Sequence, residues 1–496
     1  MTQDTDPTPL DEEPRDDVGT PEDAPDMIAP DAAPGEEPEE SPDEADTDDV
    51  FVPDPSVFAE DGDPDGATSY LASGADWDDI VAEQAERTDS VIVVNMGPTH
   101  PSTHGVMRLV LEMDGETVLS LRPGIGYLHT GIEKQMEYRT WVQGSPLISR
   151  CNYVASTANE AVYCLAVDKL LGITDDIPER ANVLRVMAME VNRIASHLIA
   201  IGSGALELGA TSVTMVCLQE REHCLEFTDS YCGLRMNHGY IRPGGVASDL
   251  PSDGLDRLRE LVRLLESNLP AIAEFTLEQP IIKLRMEHVG TLDLAQCMAL
   301  GATGPTLRAT GYGWDLRKMQ PYCGYDTYDF DVCIDTGMDS FARWKIRLAE
   351  MDESVKILKQ CIEKLERTIG QPFVIDDPRI GPAATMTVGA DGQGASNEHV
   401  KLLMGQSMEA LIRHFKKVTA GFTVPPGQVY TAVEAPGGEI GCHLVSDGGL
   451  KPYRVHLRDP GFHHAQTMPM MCEGGMLSDV IVALGSIDPV MGGVDR

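Results

Sequence analysis

Leu184, Met187, Val191, Ile194, Leu198 and Ile201 follow one another at alternating spacings of three and four residues. On a helix of 3.6 residues per turn that spacing draws a single apolar stripe, which is stable only when other elements cover it. Segments around 210–233, 255–275, 290–303, 340–370 and 398–418 carry similar patterns. The chain is therefore predicted to be mainly α, with a central antiparallel bundle of long helices across 151–420.

The two flanks of that bundle read differently. Between 89 and 150, apolar runs such as "VIVVNM" and "VMRLVLEM" are separated by turn sequences such as "MDGE" and "RPGIG", the pattern of a β-rich region. Past 421, Gly and Pro return with further strand-like runs, and the tail "MLSDVIVALGSIDPVMGGVDR" reads as a helix followed by irregular chain. A C-terminal α+β region is expected over 421–496. No internal repeat stands out.

Residues 1–88 are of another kind. The first fifty carry twenty Asp or Glu against one basic residue, Arg15. Such a segment buries too little apolar area to offset the entropy of ordering, so it is expected to be a disordered acidic extension. The net charge of −42 leaves no basic patch to face phosphates, which excludes nucleic acid as a partner. No secretory leader is expected, and no apolar run reaches the length that crosses a bilayer. The eleven cysteines include no Cys-x-x-Cys pair. They predict reduced thiols in a cytoplasmic protein and no zinc or iron–sulfur ligand set of the chain's own.

"GPTHPSTHGVMRL", residues 97–109, places His100 and His104 four apart. A metal-binding helix uses that spacing, but Pro101 lies between them and disfavours a helix. The apolar runs on either side predict a loop between two strands. From the residues alone, a turn histidine and a ligand-bonding histidine both stay open.

Several stretches together resemble one family: "GPTHPSTHGVMRL", "GYLHTGIEK", "SRCNYVAS", "YIRPGGV", "GPTLRATGYGWDLRK", "YDFDVCIDTGMDSFARWKIRLAEM" and "GSIDPVMGGVDR". They are similar, in the same order, to the quinone-site D-subunit family of respiratory complex I, the proton-translocating NADH-quinone oxidoreductase. The resemblance runs from about residue 90 to the C-terminus. It implies a fold like the nickel–iron hydrogenase large subunit, but the metal-holding thiolates of that enzyme do not recur. Cys151 stands alone early in the chain, and "LRDPGFHH" keeps Asp459 and Pro460 with Gly461 where a late thiolate would stand. With at most one of four soft ligands left, hydrogenase chemistry is not expected.

The resemblance implies that His104 hydrogen-bonds one quinone carbonyl and that Tyr153 bonds the other, as the catalytic pair. A phenol and an imidazole suit this task, since each donates a hydrogen bond and passes a proton. Glu207, in "ALELGA", stands where the family has an aspartate partner for the loop histidine; the alternative is a solvated helix-end carboxylate. Arg150 matches an arginine beside the terminal iron–sulfur cluster of a partner subunit, and the alternative is a surface arginine. Gly304, Arg308, Trp314, Asp315, Arg317, Arg343 and Arg347 help identify the family and are expected to be structural or interfacial.

The implied protein is a peripheral subunit on the cytoplasmic side of the cell membrane. It would bind no cofactor by itself. FMN and NADH would sit in distant subunits, and the partners would be the terminal-cluster and membrane-arm subunits. A ferredoxin-dependent relative of the complex and a non-catalytic scaffold are the alternatives. Many relatives carry a histidine two residues after the arginine of the stretch before "YIRPGG". Here that position is Asn237, with His238 one residue later. On a helix one step turns a side chain by about 100°, so His238 is not expected to replace it. A low-potential cluster matched to menaquinone follows.

Overall fold

The computed structural model describes residues 91–98, 106–375, 377, 380 and 408–496. The acidic segment 1–88 and the 99–105 stretch with His100 and His104 lie outside the described residues. The described chain is mainly α, with small antiparallel sheets toward both ends.

Strands β1 (Ile92–Met96), β2 (Arg108–Asp114) and β3 (Thr117–Gly124) form an antiparallel sheet in that order. Met96 pairs with Leu109, so the stretch bearing His104 connects two adjacent strands. A helix at Ile132–Tyr138 comes next, then α1 (Trp141–Ile148) and α2 (Ser156–Leu171), with the "RCNYV" segment between α1 and α2.

Next come α3 (Glu179–Glu207) and α4 (Thr211–Cys232). All six stripe residues of α3 are buried, each contributing about 2 kcal/mol through lost apolar surface. Only three residues join α3 to α4, a connection that returns the chain antiparallel. A hairpin of β4 (Ile241–Arg242) and β5 (Gly245–Val246) precedes α5 (Gly254–Leu277) and the short α6 (Pro280–Met286). The last long helix is α7 (Ser340–Arg367). Helices α3, α4, α5 and α7 pack in a closed cycle, each against two others. Gly204 allows the close approach of α3 to α7, since a Cβ there would lie 2.6 Å from the Trp344 ring.

After a further helix, Met408–Ala420, the chain forms β6 (Gly427–Ala435), β7 (Gly438–Ser446) and β8 (Arg454–Arg458). It ends in α8 (Leu477–Ile487) and α9 (Met491–Asp495). This tail returns to the N-terminal sheet. Val118 donates to Gly475 at 2.9 Å, Gly474 donates to Val118 at 2.8 Å, and Leu109, Leu111 and Leu121 share one apolar cluster with Leu484, Ile487 and Met491.

Candidate functional site

The segment between α1 and α2 holds Tyr153 in a fixed loop. On one side, Asn152 accepts from the Ala155 amide through its side chain (3.0 Å), and its carbonyl accepts from Asn159 (3.3 Å). On the other, Asn192 of α3 donates to the Val154 carbonyl at 2.9 Å. Both neighbours of Tyr153 are thus anchored to helices while its own side chain stays 39% exposed. Partial burial raises the phenol pKa, and the nearby Asp488 charge raises it further. The hydroxyl is therefore a standing donor at neutral pH.

Arg150 sits on the same loop, exposed, with its guanidinium donating to the Pro146 carbonyl at the end of α1. Cys151 is buried, and burial pushes its thiol well up, with the Asp459 charge adding to the effect. Asp459 is buried as well, which raises its carboxyl to about 6, and it accepts from the Gly461 amide at 2.8 Å. A Cβ at Gly461 would lie 2.9 Å from Asp459 Oδ1 and 3.0 Å from Val494. A side chain at that position would therefore crowd Asp459 and Val494.

Glu207 ends α3. Burial raises its carboxyl to about 8, so it holds its proton at neutral pH. It lies fifteen residues beyond Asn192 on α3, about 22 Å by helical rise. The Tyr153 loop and Glu207 therefore stand at different levels of α3. The C-terminal segment touches both: Gly485 abuts the Glu207 carboxyl group, and Gly492 abuts the backbone of Arg150 and Cys151. His104, the expected partner of Glu207, lies outside the described residues.

Asn237 and His238 do not ride a helix, because α4 ends at Cys232 and Asn237 has φ of 55°. The expectation built on helical rotation is corrected on this point. His238 is instead buried at the start of the "YIRPGG" loop, with Nδ1 3.1 Å from Ser156 Oγ and Nε2 3.2 Å from the Arg235 carbonyl. Burial lowers its pKa, against the carbonyl contact.

One constellation was missed in the sequence, a buried ionic network that fastens the bundle to β6. His197 Nε2 lies 2.8 Å from Glu350, Glu350 pairs with Arg308 at 2.6 Å, and Arg308 reaches Glu434 at 2.7 Å. Glu190 pairs with Arg193 at 3.2 Å and Arg317 at 3.3 Å, and accepts from Tyr325 at 2.6 Å. Burial works against the Glu350 anion, but Arg308 and His197 hold its pKa well below the usual carboxylate range. Burial lowers the pKa of His197, so the neutral ring donates to that carboxylate. The network gives Arg308 and Arg317 structural roles. Arg343 and Arg347 act likewise, buried against Ser486 of α8. The only sequence signal was Glu190 and His197 placed within the apolar stretch of α3.

Comparison with known proteins decides the affiliation. Residues 207–496 match the family model of the respiratory-chain NADH dehydrogenase 49 Kd subunit. A protein of Cutibacterium acnes, named as the D subunit of NADH-quinone oxidoreductase, is 64% identical over 427 residues, covering 86% of this chain and 99% of the relative. The chain belongs to that family. A Streptomyces coelicolor protein of the same name, the second so called in that organism, is 57% identical over 429 residues, covering 86% of this chain and 97% of the relative. The D subunit from Mycolicibacterium gilvum is 55% identical, with the same two coverages. The match to the 49 Kd family begins at Glu207. The alignments with the three relatives are long enough to take in Arg150 and Tyr153 as well. Among the described residues of this family member, no helix is long and apolar enough to cross a membrane.

Proposed function

We propose that this chain forms the quinone-reduction site of a proton-translocating NADH-quinone oxidoreductase. The observation that carries the proposal is Tyr153, with a partly exposed phenol on a loop anchored at both neighbours, in a chain of the D-subunit family. An apolar quinone needs few polar groups, held where they fix its carbonyls. Tyr153 donates to one carbonyl and His104 to the other. Glu207, protonated at neutral pH, supplies the carboxyl partner expected for His104. On this reading the scaffold is that of the hydrogenase large subunit, with Gly461 where a metal-holding thiolate would stand.

The chain binds no cofactor of its own. Electrons reach the quinone from a terminal iron–sulfur cluster in a partner subunit, beside exposed Arg150, whose fixed charge favours the reduced cluster. FMN and NADH belong to distant subunits, and membrane-arm subunits carry the quinone entrance and the proton path. The complex is membrane-bound, and this chain is a peripheral part of it on the cytoplasmic side. NADH, rather than ferredoxin, is the favoured donor because the relatives' names specify it. Menaquinone is the favoured acceptor. Asn237 takes up no proton near neutral pH, and burial lowers the pKa of His238.

A photoreactive quinone analogue added to the purified complex tests the assignment. Label within 149–155, competed away by quinone, is expected. Competable label confined to other subunits would overturn it.

A further inference from the structure

The α4–α5 face carries a groove that the proposed quinone chemistry does not use. Its volume is about 860 Å³, and it is walled by α4, the C-terminal half of α5 and the start of α6. Val216 and Phe275 give it apolar walls, and the strongly exposed Ile281 continues that surface along α6. The acidic members are Glu220, Glu274 and Glu278, and no lysine or arginine lines the groove. None of the three carboxylates enters an ion pair among the described residues. Glu274 and Glu278 are exposed at the rim, whereas Glu220 is only 3% exposed. Glu220 Oε1 accepts from Asn268 at 2.9 Å, but Oε2 is buried with no hydrogen-bond partner.

A buried carboxylate oxygen without a partner is costly, and it is tolerated where a donor arrives from outside. Three negative charges on apolar walls select a positive group carried on an apolar body. We propose that this groove docks a neighbouring subunit of the complex, through an apolar segment whose lysine or arginine pairs with Glu220. Glu274 and Glu278 steer that cation at the rim. The partner is a protein segment, because the apolar strip along α6 extends the contact beyond a single bound cation. The proposal rests on the reading of this chain as a subunit of a larger complex.

The test uses the purified complex. Glu274→Lys with Glu278→Lys places like charge against the incoming cation without touching the core. Release of the chain on raising salt is expected to be faster by on the order of tenfold. Glu220→Gln keeps the volume and the Asn268 contact and is expected to act in the same direction. Melting of the unassembled full-length variants should match that of the unaltered chain. A photo-crosslinker at Phe275 is expected to join a basic, apolar segment of another subunit. Unchanged release, or crosslinks only to lipid, to a second copy of this chain or to nothing, would overturn the proposal. Failure of the unaltered chain to co-purify with any partner would instead overturn the subunit reading beneath it.

Discussion

The Glu207 carboxyl group lies against Gly485, so the end of α3 and the last turn of α8 meet through an acid and a missing side chain. A Cβ at 485 would collide with Glu207 Oε2, the far end of a flexible side chain, and Glu207 would have to swing away. Gly485→Ala also improves helix propensity by about 1 kcal/mol. The variant is therefore expected to assemble and melt normally while quinone reductase turnover falls by on the order of tenfold. Unfolding measurements paired with NADH-quinone assays check this. A variant that loses stability and activity together would show that Gly485 serves packing alone.

Glu207 also makes stability depend on pH. Its carboxyl moves from 4.5 to about 8 on folding. Between those values the folded chain keeps a proton that the unfolded chain has released. Stability therefore declines as pH rises through that window. Glu207→Gln removes the effect. Melting curves across it should show the unaltered chain losing more stability toward about pH 8 than the Gln variant does. Equal slopes would contradict the raised carboxyl.

Arg308 joins Glu350 and Glu434, and neither carboxylate has access to water to replace it. Arg308→Ala leaves buried charge uncompensated, a loss of about 3–5 kcal/mol. The expected result is little of the chain in membranes and a lowered melting temperature for whatever remains. Near-normal abundance and melting would remove the network from the stability account.

Much of the fold could be read from the sequence because its signals are local. The α3 stripe, the helices near 211–232, 254–277 and 340–367, and the strands Ile92–Met96 and Arg108–Asp114 fall where apolar periodicity places them. The ionic network could not be read this way, since Arg308, Glu350 and Glu434 are far apart in sequence and only the tertiary fold brings them together. The return of 474–477 to the N-terminal sheet is equally non-local. At the site, resemblance singled out Tyr153, but its anchoring by Asn152 and Asn192 depends on packing. The residue-level error at Asn237 came from extending α4 past Cys232 into a loop.

That loop bears on the quinone. With Asn237 unable to titrate and burial lowering the His238 pKa, proton uptake should not accompany reduction of the cluster that the proposed function sets beside this chain. Redox titration of the cluster's paramagnetic signal at several pH values should give a low midpoint with little slope. A high midpoint falling by about 59 mV per pH unit, the one-electron, one-proton step, would favour ubiquinone instead.

The central claim is that His104 and Tyr153 act on the quinone and on nothing upstream of it. Tyr153→Phe and His104→Ala complexes should assemble and oxidise NADH at the normal rate with ferricyanide, which draws electrons before the quinone site. With quinone as acceptor, each should be slower by on the order of a hundredfold, the scale for losing a positioned proton donor. Unchanged quinone reductase rates in both variants, with assembly intact, would contradict the account.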